Sequence, residues 1–147
     1  MPDYVGALAA IKSRLLENWT ATPVGFINET SPETTDENSN PAPWVLAEIV
    51  SSGSTGPSMG TPGNQIYIYE GLIKLHVFVP AGSGIETGFT HAVALGEIFR
   101  NKLFYDETPG YYVRTWTPRI DEGDASSDDG LWFGVTATIN FEYWHRA

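Results

Sequence analysis

The stretch from Leu131 to Trp144 constrains the fold more than any other part of the chain. Over fourteen residues it alternates without a break. Leu131, Phe133, Val135, Ala137, Ile139, Phe141 and Tyr143 point one way; Trp132, Gly134, Thr136, Thr138, Asn140, Glu142 and Trp144 point the other. Successive side chains on a strand project to opposite faces, so this pattern predicts a long strand with one face on a core. The other face, with two tryptophans on it, is left for water or a partner.

A second long run, Gln65 to Val79, has the same period. Tyr67, Tyr69, Ile73, Leu75, Val77 and Val79 share one face, and Ile66, Ile68, Glu70, Leu72, Lys74, His76 and Phe78 share the other. Gly71 suggests a bulge or bend, and Pro80 ends the run. Shorter strands are predicted at Val24–Ile27, Trp44–Val50 and Tyr111–Thr117. Helical spacing places Tyr4, Leu8, Ile11, Leu15 and Trp19 on one face of a helix over 3–19, with Asp3 as N-cap. A second helix is predicted from Glu86 to Phe104, with a stripe of Phe89, Ala92, Val93, Gly96, Phe99 and Leu103 and a cap from Ser83 or Thr87. The order α-β-β-β-α-β-β implies an α+β domain: a mostly antiparallel, curved sheet of about five strands with two helices on one face.

The 147 residues fit one domain spanning 1–147, interrupted by long polar loops at 28–43 and 51–64. With no cysteine, disulfides and thiolate metal sites are excluded. No apolar run approaches the roughly 20 residues of a membrane span, and the N-terminus lacks the features of a secretory signal, so a cytoplasmic setting is expected. Eighteen acidic residues against eight basic ones give a net charge of −10, with the basic residues scattered, which argues against nucleic-acid recognition. Five Trp, seven Tyr and seven Phe point towards protein–protein contact.

No constellation in the sequence assembles into an active site, and no cofactor is expected. Gly82-Ser83-Gly84 lacks the lysine and glycine spacing of a phosphate loop. Asp124, Ser126 and Asp128 alternate as in a calcium loop, but the glycine is displaced to Gly130 and Val135 stands where a bidentate Glu is wanted. That loop reads as a solvated acidic turn. His76, His91 and His145 have no second histidine at ligand spacing, and His76 and His91 read as satisfied or exposed side chains. Glu48 and Glu70 each interrupt an apolar strand, which favours a wet face or an interface ion pair over catalysis.

The segments in order resemble the tail-terminator (tail-completion) proteins of long-tailed bacteriophages and gene transfer agents. The likeness runs through Trp19, Thr22-Pro23-Val24 with Phe26 and Asn28, Pro43-Trp44-Val45 with Glu48-Ile49, and Tyr69-Glu70-Gly71. It continues through Val77 to Gly84, Ile98-Phe99-Arg100, Asp129-Gly130-Leu131-Trp132 and Phe141-Glu142-Tyr143. The resemblance implies a virion protein, assembled in the host cytoplasm, that forms a homohexameric ring on the tail tube. Such a ring ends tube polymerisation and offers a docking surface to the head-completion or neck protein. DNA would pass an acidic lumen without specific binding. Candidate interface residues are Trp132, Trp144, Glu70, Glu142, Asp128 and Asp129. The rival readings are another tube or head–tail joining component, or a monomeric small-molecule-binding module or enzyme.

Overall fold

A computed structural model describes residues 2–55, 63–121, 123 and 131–146. Helix α1 (Tyr4–Asn18) starts where Asp3 accepts the Gly6 N–H at 2.7 Å, as its cap position predicts. It buries Ala7, Ile11 and Leu15. Seven strands follow: β1 (Val24–Phe26), β2 (Trp44–Thr55), β3 (Ile66–Pro80), then, after α2 (Glu86–Phe99), β4 (Leu103–Phe104), β5 (Tyr112–Thr115), β6 (Arg119–Ile120) and β7 (Trp132–Arg146).

They form one sheet in the order β1-β2-β3-β7-β5-β4, with β6 on β7. All pairs are antiparallel except β1 with β2, which is parallel. The α+β class therefore stands, while among the described residues the sheet has seven strands rather than about five and is mixed. The two extra strands, β4 and β6, are two residues long and exist through their partners.

Three boundaries differ from expectation. β2 runs on to Thr55, into the segment expected to be a loop, because β3 extends to Ile66 and offers it a ladder. The irregularity expected at Gly71 lies across from it, as a register shift between Ser51 and Gly53. Gly71 serves a different need: a Cβ there would stand 2.6 Å from both the Phe141 ring and the Val50 carbonyl oxygen. Helix α2 ends at Phe99, not Phe104; Asn101 has a positive φ (48°), and the chain turns into β4. Its stripe is Gly88, Ala92, Leu95, Gly96 and Phe99, leaving Val93 and Leu103 exposed. Neither Ser83 nor Thr87 caps it: Ile85 occupies the cap position without a side-chain bond, and Ser83 Oγ donates to the Pro80 carbonyl at 2.7 Å.

Both helices lie on one face of the sheet. Val45, Ala47, Ile73, Leu75, Val77, Val79, Val113, Val135, Ala137, Ile139, Phe141 and Tyr143 meet Ile11, Leu15, Ala92, Leu95 and Phe99 in a single core. At one end of this layer Tyr4, Tyr69, Tyr105 and Tyr143 pack ring to ring. Burial, with Tyr105, Asp3, Tyr111 and Tyr69 nearby, holds the Tyr143 phenol protonated far above the ordinary tyrosine range. Among the described residues no helix is long and apolar enough to cross a membrane.

Candidate functional site

The opposite face of the sheet carries no helix. The registers set its side chains in rows. At one end Trp44 stacks on Phe78 (ring centroids 4.6 Å apart) and meets Trp132 edge-on at 6.2 Å. At the other end Tyr112 stacks on Trp144 at 5.2 Å. All five rings are half-buried. Trp132 and Trp144 thus stand on the non-core face, as the alternation predicts, each with an aromatic neighbour. The Trp44 indole N–H is buried and meets no acceptor among the described residues.

Polar groups occupy the middle. Glu70 lies directly opposite Glu142, and Arg114 flanks Glu142 on its other side. Like charges facing each other across a ladder destabilise it. Glu142 is further held by the Trp144 indole N–H, which donates to Oε2 at 2.9 Å. The structure therefore brings Glu70, Glu142 and Trp144 together and leaves Trp132 at the far end. Asp128 and Asp129, with the rest of the proposed calcium pattern at Asp124 and Ser126, lie outside the described residues. Glu70 and Glu142 line an open hollow of about 330 Å³, together with Ser52, Leu72, Trp116 and Asn140.

One constellation escaped the sequence reading. His76 Nδ1 lies 2.9 Å from Thr136 Oγ1, and Nε2 lies 3.4 Å from Glu48 Oε1. Strict parity already placed His76 and Thr136 on the outward face, but only the β2–β3–β7 register brings the three into reach. A carboxylate–imidazole–hydroxyl chain can relay a proton, and turning it to catalysis needs a concavity and oriented donors as well. The hollow on this face is built farther along the strands, around Glu70 and Glu142. His91, by contrast, is on α2 with its ring edge-on to Trp19 at 5.5 Å, and burial lowers its pKa.

The two polar loops also resolve differently. Residues 28–43 form a largely exposed finger whose tip is closed by a Thr35–Pro41 bridge and by Ala42 N–H donating to the Thr34 carbonyl at 2.9 Å. Asp36 Oδ1 accepts the N–H groups of Asn38 and Asn40 at 2.9 and 3.0 Å. At its base Lys12 pairs with Glu29 and covers the Phe26 ring. Of the 51–64 segment, residues 51–55 belong to β2, and residues 56–62 are outside the described residues.

No protein-family model matches this chain, and no curated protein matches it. Solved structures do. One of them, whose name carries no functional description, is 17% identical, with a TM-score of 0.63 over 93% of this chain and 92% of its own. At that identity the likeness speaks for the fold alone.

Proposed function

We propose that the protein is a virion structural component that forms a ring on a phage tail tube, ends tube growth and offers the neck its docking surface. One observation carries this reading. The helix-free face presents Trp44, Phe78 and Trp132 at one end and Tyr112 and Trp144 at the other, partly open to solvent. Large aromatics left half-wet gain about 25 cal/mol per Å² on being covered, and aromatic anchors dominate protein interfaces. The segment-by-segment resemblance to tail terminators gives that surface its partners. A cyclic ring needs two matching patches per copy, and each contact should bury at least ~1,000 Å² in total. Glu70 and Glu142 would keep a lumen that DNA passes through free of phosphate binding.

The test is the mass of the purified chain in solution, followed by electron microscopy. A closed ring that does not extend is expected. Filaments would favour a tube protein, and a persistent monomer would favour a small-molecule-binding module or enzyme.

A further inference from the structure

A net charge of −10 makes two copies of this chain repel at long range. A contact that sets unlike charges together would offset that repulsion, and few cations are free for it. Lys12 pairs with Glu29, Arg100 with Glu97 and Arg119 with Asp121. Arg14 donates to the Ile98 carbonyl at 2.9 Å, and Arg146 to Asn64 Oδ1 at 3.0 Å. Among the described residues, Lys74, Lys102 and Arg114 make no ion pair within 4 Å and no side-chain hydrogen bond, although Lys74 stands across the ladder from Glu48 and Arg114 from Glu142. Two of these three, Lys102 and Arg114, line one hollow of about 290 Å³ with Asn101 and Leu103. It sits at the β4–β5 margin of the sheet, where Leu103 faces Arg114 across the ladder. Arg114 is braced from behind by the Trp116 ring, 5.2 Å from its guanidinium carbon.

The far margin of the sheet has the inverse character. There β1 runs through Ile27 into the finger, whose acids are Glu29, Glu33, Asp36 and Glu37 and which has no basic residue between 28 and 43. Glu33, Asp36 and Glu37 are exposed, and none has a cation partner among the described residues. The finger is braced as well as charged. Its bridge and the Asp36 turn close it, and Pro32 packs so tightly on Gly25 that a Cβ there would stand 2.6 Å from the Pro32 ring. Each margin also exposes one large apolar side chain, Ile27 at 55% and Leu103 at 56%, which supplies a dry centre beside each set of charges.

We infer that the acidic finger of one copy seats in the Lys102–Arg114 hollow of the next, and that this contact closes the ring. The inference rests on the ring reading and names the two surfaces that reading leaves open. Because β1 and β4 stand at opposite ends of the strand order, each copy gives a finger on one side and receives one on the other. That is a heterologous, head-to-tail contact, the kind that cyclic closure beyond a dimer requires.

Two full-length variants test it: Glu33→Lys with Glu37→Lys, and Lys102→Glu with Arg114→Glu. Asp36 is spared because its carboxylate holds the turn. Sedimentation and light scattering give the mass, and circular dichroism checks the fold. The wild-type chain should assemble, and each variant alone should self-associate about tenfold or more weakly, since both of its contact surfaces then carry the same sign. An equimolar mixture should recover assembly, because the reversed finger of one variant fits the reversed hollow of the other, and its particles should hold equal amounts of both. Variants that assemble like the wild type, or a mixture that stays dissociated, would overturn the contact while leaving the ring reading intact. A wild-type chain that stays monomeric at every soluble concentration would overturn both.

Discussion

The two faces of the sheet are made from the same strands, residue by alternate residue, yet they obey different rules. On the helix-covered face Ile73, Leu75, Val77, Val135, Ala137, Ile139 and Phe141 are essentially inaccessible, and their sizes are matched to the helices above. On the helix-free face the same strands carry Glu70, Leu72, Lys74, His76, Thr136, Asn140 and Glu142, of mixed chemistry; five of the seven are half-buried, and Glu70 and Asn140 are exposed. The covered face is specified by volume. The open face has no helix to match, and its aromatic ends flank a polar middle.

That contrast predicts a sharp asymmetry in the cost of substitution. Phe141→Ala on the covered face should cost about 3–5 kcal/mol of stability, measured by denaturant unfolding, because its ring is buried and packed into the space left by Gly71. A loss below about 1 kcal/mol would mean that this face is not tightly packed. Gly71→Ala probes the same spot from the other side. The new methyl meets the Phe141 ring and the Val50 carbonyl oxygen, and the latter belongs to a strand that cannot step aside. Overpacking of this kind should cost about 1–3 kcal/mol in the same measurement.

The asymmetry was largely legible in the sequence, and the reason is the period of two. Alternation in 65–79 and 131–144 assigned nearly every side chain of β3 and β7 to its face, including Trp132 and Trp144. Local chemistry also marked the start of α1 through Asp3. What stayed hidden depends on long-range pairing. β4 and β6, at two residues each, have no pattern of their own, and nothing local distinguishes a parallel β1–β2 pair from an antiparallel one. The end of α2 was missed because Leu103 continues the helical spacing, although the backbone has already turned at Asn101. The same limit applied to the candidate site. Glu70 and Glu142 were each visible as outward acids, but their direct opposition is a matter of register. Lys102 and Arg114 looked scattered because twelve positions separate them; a two-residue strand folds them into one hollow.

On the open face the same kind of truncation should act differently. Trp132→Ala and Trp144→Ala each remove a half-buried ring whose neighbours are other surface aromatics, so the folded monomer should lose less than about 2 kcal/mol. The proposed assembly should suffer more, its loss read by sedimentation while circular dichroism stays native. Unfolding of either variant would show that these rings belong to the core in function as well as in contact, and the contrast between the faces would fail.

The smallest effect expected concerns the covered side at its edge. His91 is partly buried on α2 against the Trp19 indole, and burial lowers its pKa from the ordinary value of 6.5. On acidification the unfolded chain takes up this proton before the folded one does. Stability is therefore unaffected by His91 well above pH 6.5 and falls as the pH drops below it, until the folded form also protonates. His91→Gln should thus flatten the fall in melting temperature between neutral and mildly acidic pH. An unchanged slope would mean that burial against Trp19 does not oppose the imidazolium charge at this edge.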